Sequence, residues 1–211
     1  MNKITSIEEQ KKNKERVNIY INYEFVFACS KLLAIKYSLV SGQIVDTDKL
    51  SKIAYEDNIS KAKEYGLRIV ERSFKTKNDV TRKLVLKEYD ENTISYVISF
   101  LEEYKFIDDN KYVNMYINDY KISKSKKAIY YNLSKKGIDK SLIDKAFGEI
   151  DEDFEEKSAY KLGEKKYKTL KNSEDFIARK KIGDFLFRKG YKYETIKKVL
   201  NKILDEGEFY E

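Results

Sequence analysis

One apolar spacing occurs three times in this chain of 211 residues, and it constrains the fold more than any other feature of the sequence. A helical unit used three times is typical of a scaffold that displays a surface, and not of a cage around a catalytic centre. The copies correspond position by position with no internal insertion: Val80, Leu84, Glu88, Ile94, Val97, Ile98 and Leu101; then Ile129, Leu133, Gly137, Ile143, Ala146, Phe147 and Ile150; then Ile182, Leu186, Gly190, Ile196, Val199, Leu200 and Ile203.

The spacing inside each copy predicts a unit of three helices. In the second copy the helices are expected over Asn110–Ile122, Ser125–Lys136 and Asp139–Ile150. The third of these carries apolar residues at i, i+3, i+4 and i+7, which is the pattern of a helix with one buried face. Gly137 is expected to end the second helix in the left-handed conformation, and Asp139 to cap the third.

Three positions depart from this scheme. Glu88 stands in the first copy where the other copies have glycine, so its turn is expected to differ or to be strained. Asp90 corresponds to the capping residue Asp139, whereas Lys192 takes that place in the third copy, which therefore loses the cap. A longer connection precedes the second helix of the third copy, and Ser173 is expected to start that helix.

The N-terminal part has a different pattern. Val17, Ile19 and Ile21 alternate with polar residues, which is typical of a half-buried strand. The expected elements are strands over Lys3–Gln10, Arg16–Asn22 and Tyr23–Ala28 with a tight turn near Asn22–Tyr23, a helix over Ser30–Ser38, and a second helix capped by Asp46 or Thr47.

The predicted fold is mainly α. It consists of three tandem three-helix repeats forming an elongated array, preceded by a small N-terminal β-hairpin or sheet plus a helix. The expected boundaries are 1–57 for the N-terminal β-containing segment, 58–108 for the first repeat, 109–151 for the second and 152–211 for the third.

Composition excludes most kinds of catalytic centre. The chain has no histidine and one cysteine, so imidazole chemistry, disulfides and thiolate zinc sites are all missing. Cys29 lies among apolar residues and is expected to be buried and inert, and the acidic runs Asp108–Asp109 and 151–153 are expected in linkers and helix caps. We therefore expect no enzyme activity, no cofactor and no metal. An enzyme that works through carboxylates and a divalent metal is the least favoured alternative.

No signal peptide and no apolar run long enough to cross a membrane is visible, so a cytoplasmic protein is expected. We also expect a monomer.

Basic residues are concentrated around the second helices of the repeats. The chain has 43 basic and 36 acidic residues, for a net charge of +7, and this bias favours an anionic partner. Both nucleic acid and an acidic protein groove satisfy that condition, and a merely solvated helix face with Tyr130 and Tyr131 in the core is the alternative. The candidate binding residues are Lys121, Lys124, Lys126, Lys127, Lys135, Lys136, Arg179, Lys180, Lys181, Arg188 and Lys189. The first repeat has Arg82, Lys83 and Lys87 in the corresponding place.

The order and number of these units resemble the RecX family, the bacterial regulators of the RecA recombinase. The resemblance rests on the turns Leu133-Ser-Lys-Lys-Gly137-Ile138 and Leu186-Phe-Arg-Lys-Gly190-Tyr191, each followed by a similar apolar helix. It extends to an opening segment with Ile4-Thr-Ser-Ile7, Arg16-Val17-Asn18-Ile19-Tyr20-Ile21 and Phe25. Glu88 and the Asn22–Tyr23 turn depart from the family pattern.

The resemblance implies a regulator that is not an enzyme and that lies in the groove of the RecA–single-stranded-DNA filament. There it would limit filament growth and restrain strand exchange, ATP hydrolysis and coprotease activity, in DNA repair, homologous recombination and the SOS response. The implied partners are the RecA filament and single-stranded DNA, with duplex DNA left open. The alternative function is direct DNA binding through a helix-turn-helix-like repeat.

Overall fold

The computed structural model describes residues 2–11, 13–151, 153–170 and 174–205. It divides into two compact units. Unit 1 comprises Met1–Ser73 and Val80–Phe106, and unit 2 comprises Phe74–Asp79 and Ile107–Glu211.

A four-stranded antiparallel sheet opens unit 1. Its strands are β1 (Asn2–Glu9), β2 (Arg16–Ile21), β3 (Glu24–Ser30) and β4 (Ile44–Val45), in the order β3-β2-β1-β4. The three predicted strands are confirmed, and the two-residue β4 is an addition that is too short to show any alternation. Asn22 and Tyr23 join β2 to β3 with φ of 51° and 72°, as expected for a hairpin turn that matches the twist of its strands.

The inward residues of the sheet form the core of the N-terminal part. Ile4, Val17, Ile19, Ile21 and Cys29 are buried together with residues of the following helices. The predicted alternation of β2 is therefore confirmed, since its three apolar residues share the buried face.

Four helices accompany the sheet within the part of unit 1 that the structure describes. These are α1 (Lys31–Lys36), α2 (Thr47–Glu71), α3 (Lys77–Val85, of which residues 77–79 belong to unit 2) and α4 (Glu91–Glu103). Asp46 caps α2, as predicted. The helix expected over Ser30–Ser38 is shorter, since Ser30 is the N-cap of α1 and the helix ends at Lys36. Helix α2 runs without a break through residues 57 and 58, where the sequence places the end of the N-terminal segment. The four segment boundaries stay predictions.

The described residues of unit 2 form six further helices. They are α5 (Asp109–Tyr120), α6 (Lys126–Lys135), α7 (Lys140–Gly148), α8 (Phe154–Lys168), α9 (Asp175–Arg188) and α10 (Tyr193–Asp205). Helices α5 to α7 surround one hydrophobic core and α8 to α10 another. The mainly helical fold with three-helix units and a small N-terminal sheet is thus confirmed.

The threefold spacing marks the buried positions of these units. Every apolar member of the three copies is buried, apart from the half-buried Ile150. Because a methylene group gains about 0.8 kcal/mol on burial, these aliphatic side chains are the main source of stability for helices this short.

The turns after the second helices share one backbone conformation. Gly137 and Gly190 have φ of 75° and 89°, and Glu88 adopts the same left-handed region with φ of 60°. The first copy therefore keeps the turn and accepts the strain of a side chain there. Asp90 and Asp139 cap α4 and α7 as predicted.

The predicted start of the third repeat's second helix at Ser173 lies outside the described residues, and α9 begins at Asp175. In the second repeat, Lys121 caps the C-terminus of α5 and Lys124 lies in the turn before α6, as expected for a second helix that starts at Ser125. The physical reason is that Ser125 is the N-cap of α6, since its hydroxyl accepts from the Ala128 amide.

Candidate nucleic-acid interface

A side-chain hydrogen bond joins the second helices of the two repeats in unit 2, α6 and α9. The Ser125 hydroxyl at the start of α6 donates to the Lys189 carbonyl oxygen at the end of α9, over 2.8 Å. Ser125 is fully buried, and Gly190 follows directly after Lys189. A Cβ atom at Gly190 would lie 2.9 Å from the Ser125 hydroxyl oxygen, so glycine allows this close approach.

The same contact occurs one repeat earlier in the chain. The hydroxyl of the buried Thr76 donates to the Lys136 carbonyl oxygen over 3.0 Å, and the Asn78 amide donates to the same oxygen over 3.2 Å. A Cβ atom at Gly137 would lie 2.4 Å from the Asn78 side chain. Both glycines are therefore required by packing as well as by their turns.

A second contact accompanies each of these hydrogen bonds. The backbone N–H of Lys77 donates to the Asp109 carboxylate over 2.9 Å, and the equivalent N–H of Lys126 donates to the Glu155 carboxylate over 3.2 Å. Each carboxylate lies in the first turn of an α-helix, α5 or α8, where negative charge is favourable. We call the hydroxyl–carbonyl and N–H–carboxylate pair the seam contact.

Several of the predicted binding residues have structural partners. The Lys136 amine pairs with Asp79 at 3.0 Å, which raises the pKa of Lys136. The Lys124 amine donates to the Tyr116 hydroxyl at 3.2 Å and lies 3.6 Å from the centre of the Tyr120 ring. Arg179 donates to the Asn201 side chain at 2.9 Å. These contacts hold the three cations in place and reduce their availability to a partner.

The other predicted residues are more open. Lys121 is half-buried, while the rest of this group is exposed. Lys135 lies over the Tyr131 ring at 5.0 Å, and Lys189 lies 5.6 Å from the Phe185 ring. Within the described ranges, no ion pair involves Lys127, Lys180, Lys181 or Arg188.

A groove of about 540 Å³ brings two of the predicted lysines together with aromatic rings. Lys126, Lys127, Tyr130, Tyr131 and Ser134 of α6 line it, and Glu155, Gly190 and Lys192 complete it. We call it the α6 groove. Tyr130 is half-buried against the core, as the alternative interpretation expected, whereas Tyr131 is 59% exposed.

Sequence reasoning missed Lys192 and Glu155 as members of this groove. In the repeat pattern Lys192 indicates only a lost helix cap. The seam contact was also missed, although the register of the repeats contained a signal, since Thr76 and Ser125 occupy equivalent positions.

Cys29 is buried as predicted. Burial, with help from the negative charge of Asp57, raises the pKa of the thiol to about 11, so the thiol stays protonated at neutral pH.

Across the described residues, no group of three or more acidic or cysteine side chains is placed to hold a metal ion. None of the helices in those same ranges is both long enough and apolar enough to span a membrane.

Comparison with known proteins agrees with this architecture. Three protein-family models match this chain. The family model of the regulatory protein RecX N-terminal domain matches residues 2–46, the family model of the RecX first three-helix domain matches residues 62–101, and the family model of the RecX third three-helix domain matches residues 154–200. The regulatory protein RecX of Clostridium tetani is 48% identical over 206 residues, which cover 97% of this chain and 95% of the relative. The chain belongs to the RecX family.

Other RecX proteins support the assignment. The protein from Clostridium beijerinckii is 38% identical, over 97% of each chain. A crystal structure of regulatory protein RecX superposes with a TM-score of 0.69 at 26% identity, covering 94% of this chain and 98% of that one. The RecX structure from Lactobacillus salivarius has a TM-score of 0.64 at 27% identity and covers 70% of this chain and 97% of its own. The predicted family is confirmed.

Proposed function

We propose that this RecX protein binds the RecA–single-stranded-DNA filament and inhibits its growth, its ATPase activity, its recombinase activity and its coprotease activity. It performs no catalysis of its own in this proposal, and it acts as a cytoplasmic monomer. Membership of a family of regulatory proteins supports the regulatory role, and the relatives match over nearly the whole chain.

One structural observation carries the choice of an anionic partner. Exposed basic residues lie on α6 and on α9, the second helices of two successive repeats. Lys127 on α6 and Lys180 and Lys181 on α9 are exposed and have no ion pair within the described part of the chain. Cations that have no partner inside a protein favour binding to phosphates, because each phosphate contact releases a counterion.

The test is the DNA-dependent ATPase activity of RecA on single-stranded DNA. Substoichiometric amounts of the protein should lower the ATPase rate and the rate of strand exchange. An unchanged rate at equimolar protein would refute the proposal.

A matched pair of variants connects the effect to α9. Lys180→Ala/Lys181→Ala should weaken the inhibition, while Lys140→Ala/Lys145→Ala removes the same charge from exposed positions of α7 and should preserve it. Equal loss in both variants would indicate that only net charge matters.

Direct binding to duplex DNA is the alternative function. It predicts tight, sequence-dependent binding to duplex DNA without RecA, with a salt dependence that falls when Lys126 and Lys127 are replaced by alanine. Binding to duplex DNA that ignores sequence would exclude it.

A further inference from the structure

The α6 groove places an exposed aromatic ring beside several amines. Tyr131 is 59% exposed although its ring is large and mostly apolar. It lies on the same helix as Lys127, and Lys192 lines the groove as well. Exposed aromatic rings interleaved with basic side chains are typical of surfaces that bind unpaired nucleotides.

The charges of the groove favour an anion. Three lysines line it (Lys126, Lys127 and Lys192), and among the described residues of the lining Glu155 alone carries a carboxylate. The Glu155 carboxylate already accepts the backbone N–H of Lys126 in the seam contact. Within the described ranges no ion pair engages Lys127 or Lys192, and the three lysines outnumber this one carboxylate, so the lining carries a net positive charge.

The seam contact gives the groove a fixed shape. Ser125 and Lys189 hold the start of α6 against the end of α9. Gly190 lines the groove, and its missing side chain is what allows this approach. A site built on hydrogen-bonded helix ends loses little conformational entropy when it binds a ligand.

We propose that the α6 groove binds single-stranded nucleic acid, with one base stacked on Tyr131 and the flanking phosphates on Lys127 and Lys192. The proposal rests on the proposed function, and it names the part of the filament that this site contacts. A volume of about 540 Å³ lies within the usual range of ligand pockets. A duplex keeps its base faces stacked inside, so it offers no base to Tyr131. An acidic peptide would satisfy the lysines but would not use the ring.

The experiment measures direct binding without RecA. Fluorescence anisotropy with a labelled oligo-dT strand should show binding, and a labelled duplex of the same length should bind more weakly. Tyr131→Ala should weaken single-strand binding about 5- to 150-fold, which is the loss of one stacked base, and Tyr131→Phe should retain it. Lys127→Ala/Lys192→Ala should reduce the slope of log K against log salt by about 1.4, at about 0.7 for each single-strand phosphate contact.

Tyr96 provides a matched control. It is 49% exposed on α4 and has Lys63 at 5.8 Å from its ring, much as Tyr131 has Lys135 at 5.0 Å. Tyr96→Ala should leave the affinity unchanged, and thermal melts of both alanine variants should match that of the parent protein.

Several outcomes would overturn the groove proposal. Unchanged affinity in Tyr131→Ala would reject stacking, and so would equal affinity for duplex and single strand. Stacking would also be rejected if poly-glutamate of the same net charge as the strand displaced the strand equally well from the parent protein and from Tyr131→Ala.

The RecA ATPase assay separates the two proposals. If the parent protein inhibits RecA and Tyr131→Ala binds DNA normally, only the groove proposal fails. If the parent protein leaves RecA unaffected and Tyr131→Ala still loses single-strand binding, only the proposed function fails.

Discussion

The Ser125 hydroxyl donates to the Lys189 carbonyl oxygen over 2.8 Å, across 64 residues of sequence. The same oxygen atom of Ser125 accepts the Ala128 backbone N–H at 3.2 Å and so caps α6. One buried hydroxyl therefore satisfies the start of one helix and the end of another. The Thr76 hydroxyl likewise accepts the Asp79 backbone N–H and donates to the Lys136 carbonyl oxygen.

Removing this hydroxyl should destabilise unit 2. Ser125→Ala loses a cap and leaves the Lys189 carbonyl without its partner, so the free energy of unfolding should fall by about 2 to 3 kcal/mol. Urea denaturation measures the change. Ser141→Ala is the control, because the Ser141 hydroxyl is exposed and bonds only to the neighbouring Asp139 side chain. An equal loss in both variants would argue against the seam contact.

The three left-handed turns should respond to substitution in opposite directions. Gly137→Ala and Gly190→Ala introduce a Cβ at positive φ and against Asn78 or Ser125, so each should cost more than about 1 kcal/mol. Glu88→Gly relieves the strain of an exposed residue in the same conformation and should raise stability by up to about 1 kcal/mol. Thermal melts check both directions. A destabilised Glu88→Gly would show that this side chain contributes a contact of its own.

Asp57 should make unit 1 sensitive to acid. Its buried carboxylate pairs with Arg16 at 2.9 Å and with Lys61 at 2.8 Å, and it accepts the Ser30 backbone N–H at 3.0 Å. Burial by itself raises the pKa of Asp57, but the hydrogen bonds from Arg16 and Lys61 outweigh it and bring the pKa below its ordinary value of 3.8. The stabilisation is therefore complete above pH 3.8 and is lost as the pH falls through the lower folded-state pKa.

Asp57→Asn tests this directly. Breaking the pair leaves Arg16 without its partner and should cost about 3 kcal/mol at neutral pH. The variant should also show a weaker decrease in urea midpoint between neutral and acidic pH. Glu64→Gln breaks the exposed pair with Arg68 and should change stability by less than about 0.5 kcal/mol. The same acid dependence in Asp57→Asn and the parent protein would assign the effect to other groups.

The predicted basic residues should separate into two groups. Lys136→Ala breaks the pair with Asp79 and should lower stability by less than about 1 kcal/mol, with little effect on RecA inhibition. Lys180→Ala/Lys181→Ala should do the reverse, because both amines are exposed on α9. Urea denaturation and the RecA ATPase rate measure the two effects on the same samples. Strong loss of inhibition in Lys136→Ala would place that amine at the partner surface after all.

The Cys29 thiol should react only when unit 1 opens. With a pKa of about 11, roughly one thiol in a thousand is ionised at pH 8, and the side chain is fully buried. An aromatic disulfide reagent should therefore modify the unfolded protein within seconds and the native protein far more slowly. Rapid modification of the native protein would contradict the burial of the Cys29 side chain.

Local chemistry made much of the fold predictable. The i, i+3, i+4, i+7 spacing of Ile143, Ala146, Phe147 and Ile150 indicates which side of a helix is apolar. Gly137 marks the end of the preceding helix and Asp139 the start of this one, without any distant contact. The alternation in β2 did the same for the sheet. The candidate lysines on α6 could be proposed because charge clusters are visible in the sequence. Whether each lysine amine is free to contact a partner could not be predicted, since Lys136 pairs with Asp79, which lies 57 residues away in the sequence.

Periodicity, capping and turn chemistry act over a few residues, so the repeated helical units, their buried faces and the RecX resemblance are visible in the amino-acid sequence. The packing of the helices adds two facts that the amino-acid sequence does not show. It leaves no room for a side chain at positions 137 and 190, and it sets which lysine amines are free to contact a partner. Asn78 and Ser125 approach those glycines from the preceding repeat, and Asp79 pairs with Lys136 across 57 residues of sequence. Such contacts depend on how helices pack, and packing brings together side chains whose separation along the chain carries no local signal.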